Sequence, residues 1–322
     1  MLLPLFALFL TASASAGWWV VGGTPVPSDA WPQVGALLAQ GQFVCTAVLI
    51  GPRTALTAGH CDASVDELVL NTNDYELGGE RLSVVGRDEH PDAWTTYDLA
   101  VLHLDRDASV APAALVPDCD AQALLANGTT VVALGFGSTS SAGTRGNTAL
   151  FAGVMQVEDA LCDPARGCNA AVYPGGELVA GGDGVDTCTG DSGGPLFVLT
   201  AAGPLLAGIT SRSATPAEVA CGDGGLYARP HRVGAWLLDV AGEPIVGADC
   251  PAGLPGVALA LDEEPPLLDP NPLQGAPEPP HGGCQTTSSL GVLPVLLAIA
   301  LATGRCRRRT SGPRRRRRSA TS

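Results

Sequence analysis

Three stretches of this 322-residue chain carry side chains suited to one kind of chemistry. In Asp186-Thr187-Cys188-Thr189-Gly190-Asp191-Ser192-Gly193-Gly194-Pro195 a serine sits behind a carboxylate and among glycines. Glycine lacks a Cβ, so such a stretch turns sharply and lets backbone approach a substrate closely. The turn aims the N–H groups of Gly190 and Ser192 at one point, which is what a tetrahedral oxyanion needs. A serine hydroxyl becomes a good nucleophile only when a base takes its proton and a third group orients that base. Leu56-Thr57-Ala58-Gly59-His60-Cys61 offers an imidazole for the first task. Tyr97-Asp98-Leu99-Ala100-Val101-Leu102-His103-Leu104 offers a carboxylate, at the head of an apolar run, for the second. Together they would attack an acyl carbon and shuttle the proton.

The order His60, Asp98, Ser192 is neither that of subtilisins nor that of α/β-hydrolases. Over roughly residues 20–242 the chain resembles the trypsin/chymotrypsin family of serine endopeptidases. The resemblance implies that Ser192 attacks the peptide carbonyl, His60 acts as base and then acid, and Asp98 holds the imidazole tautomer. It assigns the oxyanion hole to the backbone of Gly190 and Ser192, and the support of the aspartate to Ser211. No cofactor and no metal are implied. Val20-Val21-Gly22-Gly23 resembles the mature start of the family, so that a cut after a pro-segment at 17–19 would free an ammonium at Val20 to pair with Asp191. Asp186, six residues before the nucleophile, matches the pocket-floor carboxylate of members that cleave after arginine or lysine, with Gly225 and Ser213 on the pocket walls. The loop 138–147 resembles the family's autolysis loop and contains Arg145, an expected self-cutting point. Arg212-Ser213 stand where the family usually has Trp-Gly. That departure supports a second reading: a catalytically weak pseudoprotease acting as a cell-surface binding module.

Elements must hold these residues together. Short apolar runs at 33–38, 44–50, 129–135 and 205–210, separated by Gly, Pro, Asn and Asp, read as an all-β fold. The resemblance makes this two six-stranded antiparallel barrels with a C-terminal helix, trypsin-like, the first over about 20–117 and the second over about 127–229. His60 and Asp98 would come from the first barrel and Ser192 from the second. Val233, Trp236, Leu237 and Val240 recur at helical spacing, predicting a helix over 232–240. Ten cysteines include no C-x-x-C pair, and with a leader ahead of them they read as disulfides formed outside the cytoplasm. The resemblance pairs Cys45 with Cys61 and Cys188 with Cys221. Cys162 and Cys168 are near enough in sequence to pair, Val179 standing where the usual partner of the first would be. Cys119 and Cys250 are left, and their pairing is a guess by elimination. His90 and His103 read as structural. Asn71, Asn73, Asp74, Glu76 and Glu80 form an acidic loop where some relatives bind calcium, without EF-hand spacing.

The net charge is −14 and no lysine occurs; nine of the 18 arginines lie in 305–318. Residues 17–250 hold nine arginines against 27 acids, a balance that repels nucleic acid and favours basic partners. Residues 1–16 read as a signal peptide, with an apolar core at 2–10 and Ala14-Ser15-Ala16 as cleavage site. The protease domain is expected at 20–250 and a proline-rich linker at 251–283. Residues 284–322 combine Cys284, a short apolar run and an arginine cluster, and resemble a MYXO-CTERM type sorting tag. The apolar run, 288–304, is about 26 Å long as a helix, short for a bilayer of ~30 Å. The expected protein is a secreted monomer acting on protein or peptide substrates, retained at the cell surface or outer membrane, with membrane contact through the tail before processing. A plain membrane anchor is the alternative for the tail.

Overall fold

Strand β2 (Val34–Ala39) and strand β3 (Gln42–Leu49) are joined by Gln40 and Gly41, both at positive φ. A two-residue turn of that kind matches the right-handed twist of its strands and fixes their register, with Ala39 opposite Gln42. The computed structural model describes residues 20–247, apart from 29, 92, 94 and 143–146, all within a unit spanning 1–263. After β2 and β3 come β4 (Thr54–Thr57), β5 (Glu67–Leu70), β6 (Glu80–Glu89) and β7 (Ala100–Leu104). They close into a barrel in the order β2-β3-β4-β7-β6-β5. Leu37, Leu49, Leu68, Leu82 and Leu102 fill its interior.

The second half repeats the plan. Strands β9 (Thr130–Gly135), β10 (Phe151–Asp159), β11 (Glu177–Ala180), β12 (Pro195–Thr200), β13 (Gly203–Ser213) and β14 (Gly225–Ala228) form a ring in the order β9-β10-β11-β14-β13-β12, closed by β12 on β9. Alternation is clearest in β10, where Phe151, Gly153, Met155 and Val157 are buried and Val154, Gln156 and Glu158 are exposed, as a period of two requires. Every strand pair of both rings is antiparallel. The barrels share one apolar interface, with Val34, Val48, Leu56 and Leu99 against Leu134, Phe136, Phe197 and Ile209.

Two expectations need correction. The segment from Val20 does not open the first barrel. Strand β1 (Thr24–Pro25) pairs with β10, and Val21 bridges Asp186. The first barrel is closed by β2 on β5 and leaves no free edge there. By contrast β11 reaches only Val157 and Asp159 of β10, so the edge at Phe151 and Ala152 is open to β1. The closing helix begins later than 232: Pro230–Val233 is a 3-10 turn, and the α-helix spans Gly234–Ala241 (α2), with Gly242 at φ +63 as its stop. Of two further short elements, β8 (Ala114–Leu115) runs parallel to β13, and α1 (Ala121–Leu124) links the barrels.

The disulfides Cys45–Cys61, Cys162–Cys168 and Cys188–Cys221 are present, each worth about 2–4 kcal/mol. Val179 packs in one cluster with Cys162 and Cys168. Cys119 is also in a disulfide; Cys250 lies outside the described residues. So do the leader, the pro-segment, the linker, the tail and Arg145. Among the described residues no helix is long and apolar enough to cross a membrane.

Candidate active site

Strand pairing alone brings the imidazole to the carboxylate. Thr57, at the end of β4, lies opposite Ala100, at the start of β7. His60 is three residues beyond the one and Asp98 two before the other. Gly59 allows the close approach, since a Cβ there would lie 2.9 Å from Ala93 and 3.2 Å from Asp98 Oδ1. His60 Nδ1 is 2.7 Å from Asp98 Oδ2, and the His60 backbone N–H donates to Oδ1 at 2.9 Å. Ser211 Oγ, from β13, donates to Oδ2 at 2.6 Å. Burial works to raise the Asp98 pKa, but the bonds from His60 and Ser211 prevail and hold it below the ordinary carboxylate value. A carboxylate on Nδ1–H leaves Nε2 as the acceptor nitrogen.

Ser192 sits in the turn before β12. Gly190 has φ +97, and a Cβ there would lie 2.9 Å from both Gly137 and Phe43. Gly193, at φ +78, has no room for a Cβ beside Thr57 Oγ1 and Thr46 O. The N–H groups of Asp191, Gly193 and Gly194 are bonded within the fold. Those of Gly190 and Ser192 donate to no described residue, as a pair reserved for an oxyanion requires. The turn is fastened to the first barrel: Thr46 N–H donates to Ser192 O at 2.9 Å and Thr46 Oγ1 to Gly190 O at 3.0 Å. Ser192 Oγ makes no hydrogen bond among the described residues. In substrate-free enzymes the nucleophile–base bond is often long and tightens with substrate. Ser192 lines a cleft of about 280 Å³ with Thr187, Ser211, Ser213 and Cys221. His60 and Asp98 line an adjoining one of about 520 Å³; Ser211 and Arg212 line both.

Asp191 turns inward and is wholly buried, accepting the N–H groups of Gly137 and Cys188 at 2.8 Å each. Burial, helped by Asp186, pushes its pKa up to about 7. Val20, at the other end of the sequence motif pair, is 1% exposed. Asp186, 1% exposed, directly precedes Thr187 and Cys188, which line the nucleophile's cleft. Its Oδ2 accepts the N–H groups of Gly222 (2.9 Å) and Gly224 (3.2 Å), while its buried Oδ1 has no partner. Burial raises its pKa to about 6. Gly225 lies against it, where a Cβ would be 3.2 Å from Oδ1. Ser213 Oγ donates to Ala220 O at 3.2 Å, on the rim.

Glu177 and Asn169 were not singled out in the sequence. Glu177 is 1% exposed in an otherwise apolar strand. Its two oxygens take Nη1 and Nη2 of Arg212 at 2.7 and 2.9 Å, and Oε2 also takes Asn169 N–H at 2.7 Å. Arg212 Nη1 further donates to Ser211 Oγ at 3.1 Å. The arginine that departs from the family pattern is therefore paired, and one hydroxyl from Asp98. A charge inside an apolar run, with an unexplained arginine elsewhere, was the available signal; nothing in the sequence says that the two meet. In the acidic loop, Asp74 accepts Glu76 N–H and Thr148 Oγ1, and Glu80 accepts Ser109. His103 pairs with Asp88 at 2.7 Å, and His90 packs edge-on against Tyr97 and Trp236.

Comparison with known proteins agrees with this geometry. A family model described as Trypsin matches residues 20–237. Trypsin 5G1 of Aedes aegypti is 30% identical over 264 residues, covering 74% of this chain and 95% of its own. A trypsin of Saccharopolyspora erythraea is 32% identical over 238 residues, covering 70% and 98%. The solved structure of neuropsin, a serine protease expressed in the limbic system of mouse brain, shares the fold at a TM-score of 0.56, with 24% identity over 68% of this chain and 98% of its own. The class is that of serine endopeptidases built on two six-stranded barrels. The chain belongs to the trypsin family, and its substrates are proteins or peptides.

Proposed function

We propose that this endopeptidase is secreted and cleaves after arginine, then lysine, through an acyl-enzyme on Ser192. Ser192 Oγ bonds to the substrate carbonyl carbon as its proton passes to His60 Nε2. The oxyanion is received by the N–H groups of Gly190 and Ser192, one such donor being worth about 3 kcal/mol. Collapse breaks the peptide C–N bond, and His60 returns the proton to the leaving amine. Water, deprotonated by the same nitrogen, then releases the acid. Asp98, held by Ser211, keeps the imidazole in the tautomer this requires.

The observation that carries the specificity is the buried Oδ1 of Asp186, unpartnered among the described residues and one residue before Thr187 of the cleft lining. A buried carboxylate is costly until a cation reaches it, and a long basic side chain before the scissile bond is such a cation. A peptide-library profile of wild type and Asp186→Ser tests this. Cleavage after arginine should dominate and fall by roughly 10²–10⁴-fold in the variant, the 3–5 kcal/mol of a broken buried pair. Cleavage mainly after Phe, Tyr or Leu, unaffected by the substitution, would refute it.

Activation by a cut before Val20 is supported by the burial of Val20 and by Asp191, a buried carboxyl with no ion pair among the described residues. N-terminal sequencing of the active enzyme should begin at Val20; a start at Gly17 would contradict this. Secretion is supported by the disulfides and the leader-like 1–16. The tail proposal predicts that 314–318 are missing from the mature surface protein, and mass spectrometry recovering those residues there would favour a retained anchor.

A further inference from the structure

Away from both clefts, one buried arginine has no ion pair among the described residues. Arg229 follows β14 and is 7% exposed. Its Nη1 donates to Ala160 O at 3.2 Å, and its Nε has no partner. Among the described residues no carboxylate lies within ion-pairing distance of it. Burial, with repulsion from Arg232, lowers its pKa to about 10. Arg229 lines a cleft of about 350 Å³ together with Arg232, Asp118, Leu125, Leu161 and Pro174. Arg232 reaches Asp118 only at 3.7 Å. Space is kept for the guanidinium by Gly175, at φ +74, where a Cβ would lie 3.1 Å from Arg229 Nη1. The cleft shares no lining residue with the two clefts of the catalytic site.

A desolvated charge with no counter-ion within ion-pairing distance costs stability. We propose that this cleft binds a carboxylate carried on an apolar body, its oxygens on Arg229 and Arg232 and its apolar part on Leu125, Leu161 and Pro174. The guanidinium fork suits a carboxylate. Two arginines less Asp118 leave a single positive charge, which matches a monoanion. A dianion would meet Asp118 and the acidic surface of a chain of net charge −14.

The test is calorimetric titration of the full mature enzyme with hexanoate, alongside hexanol and sulfate, with thermal midpoints for each. Hexanoate should bind saturably in the millimolar range and raise the midpoint. Hexanol and sulfate should do neither. Arg229→Gln should weaken hexanoate at least about tenfold and Arg232→Gln about threefold, in keeping with loss of charge-assisted bonds. Without ligand, Arg229→Gln should keep or raise the midpoint, and its peptide hydrolysis should match wild type, which separates this test from that of the catalytic site. Equal hexanoate binding in wild type and Arg229→Gln, no saturable binding at all, or tighter binding of sulfate would overturn the proposal. So would a marked fall in the midpoint of Arg229→Gln, the mark of a purely structural arginine. If that variant does not fold, unchanged binding in Arg232→Gln decides against it.

Discussion

The two barrels have the same strand order and opposite chemistries inside. The first buries threonine hydroxyls, at Thr46, Thr54 and Thr57, and among the described residues no ionisable side chain. The second, counted with its loops and the turn after β14, buries Glu177, Asp186, Asp191, Arg229 and His231. The first barrel holds His60 and Asp98 at the ends of two paired strands, a placement set by backbone hydrogen bonds. The second carries Asp186, Gly190 and Ser192 on a glycine-rich stretch that Asp191 ties down by accepting the N–H groups of Gly137 and Cys188. Identical topology thus carries an apolar interior on one side and buried ionisable groups on the other.

The largest expected effects cross the interface between them. Ser192→Ala, in the second barrel, and His60→Ala, in the first, should each lower kcat by about 10⁶-fold, because members of a triad act as a unit. The double variant should lose little more. Peptide-ester kinetics check this, and additive losses would show that the two residues act independently.

Next come effects on stability, where the barrels should part. Leu102→Ala in the first barrel should cost about 2–5 kcal/mol through lost burial and the cavity left. In the second, Arg212→Ala should cost about 2–4 kcal/mol by leaving Glu177 buried and unpaired, less than a fully dry pair because Arg212 is partly exposed. Joining Glu177→Met to Arg212→Leu should restore most of that loss. Denaturant unfolding measures each, and a double variant no better than the single one would assign the loss to packing.

The smallest effects are those of pH. The groups with the largest shifts lie in the second half, while Asp98 in the first, held below its ordinary value, adds a contribution lost only at low pH. In the uncut chain Asp191 has its pKa raised from 3.8 to about 7. Its contribution is present below about 4 and lost as pH rises through 7. His231, buried with both ring nitrogens unpartnered, has its pKa lowered from 6.5 to about 3. Its contribution is present above 6.5 and lost as pH falls toward 3. Asp191→Asn in the uncut chain should flatten the alkaline limb and His231→Phe the acid limb, each by about 1–3 kcal/mol. Leu102→Ala should leave the shape of the profile unchanged. Loss of either limb in Leu102→Ala would break the contrast between the barrels.

The residues proposed to do the chemistry could be named from sequence because each lies in a short motif whose meaning is local. His60, Asp98, Ser192 and the glycines around them needed no knowledge of strand pairing, and Cys162–Cys168 followed from nearness in sequence. The location of residues 20–25 was not legible, since it depends on which barrel edge stays open after β11 pairs with β10. The Glu177–Arg212 pair joins residues 35 apart, and the register that brings them together is fixed by the pairing of β11 and β13 on either side of β14. Arg229 reads as an ordinary surface arginine until its burial and orphaned Nε are seen. Local chemistry thus shows in the sequence, whereas charges buried by long-range packing do not.

The most direct test of the account is labelling of the active enzyme with a fluorophosphonate probe, followed by mass mapping of the adduct. The account predicts one adduct, on Ser192, formed at a rate that falls sharply in His60→Ala. No adduct on Ser192, or labelling at an equal rate without His60, would contradict it.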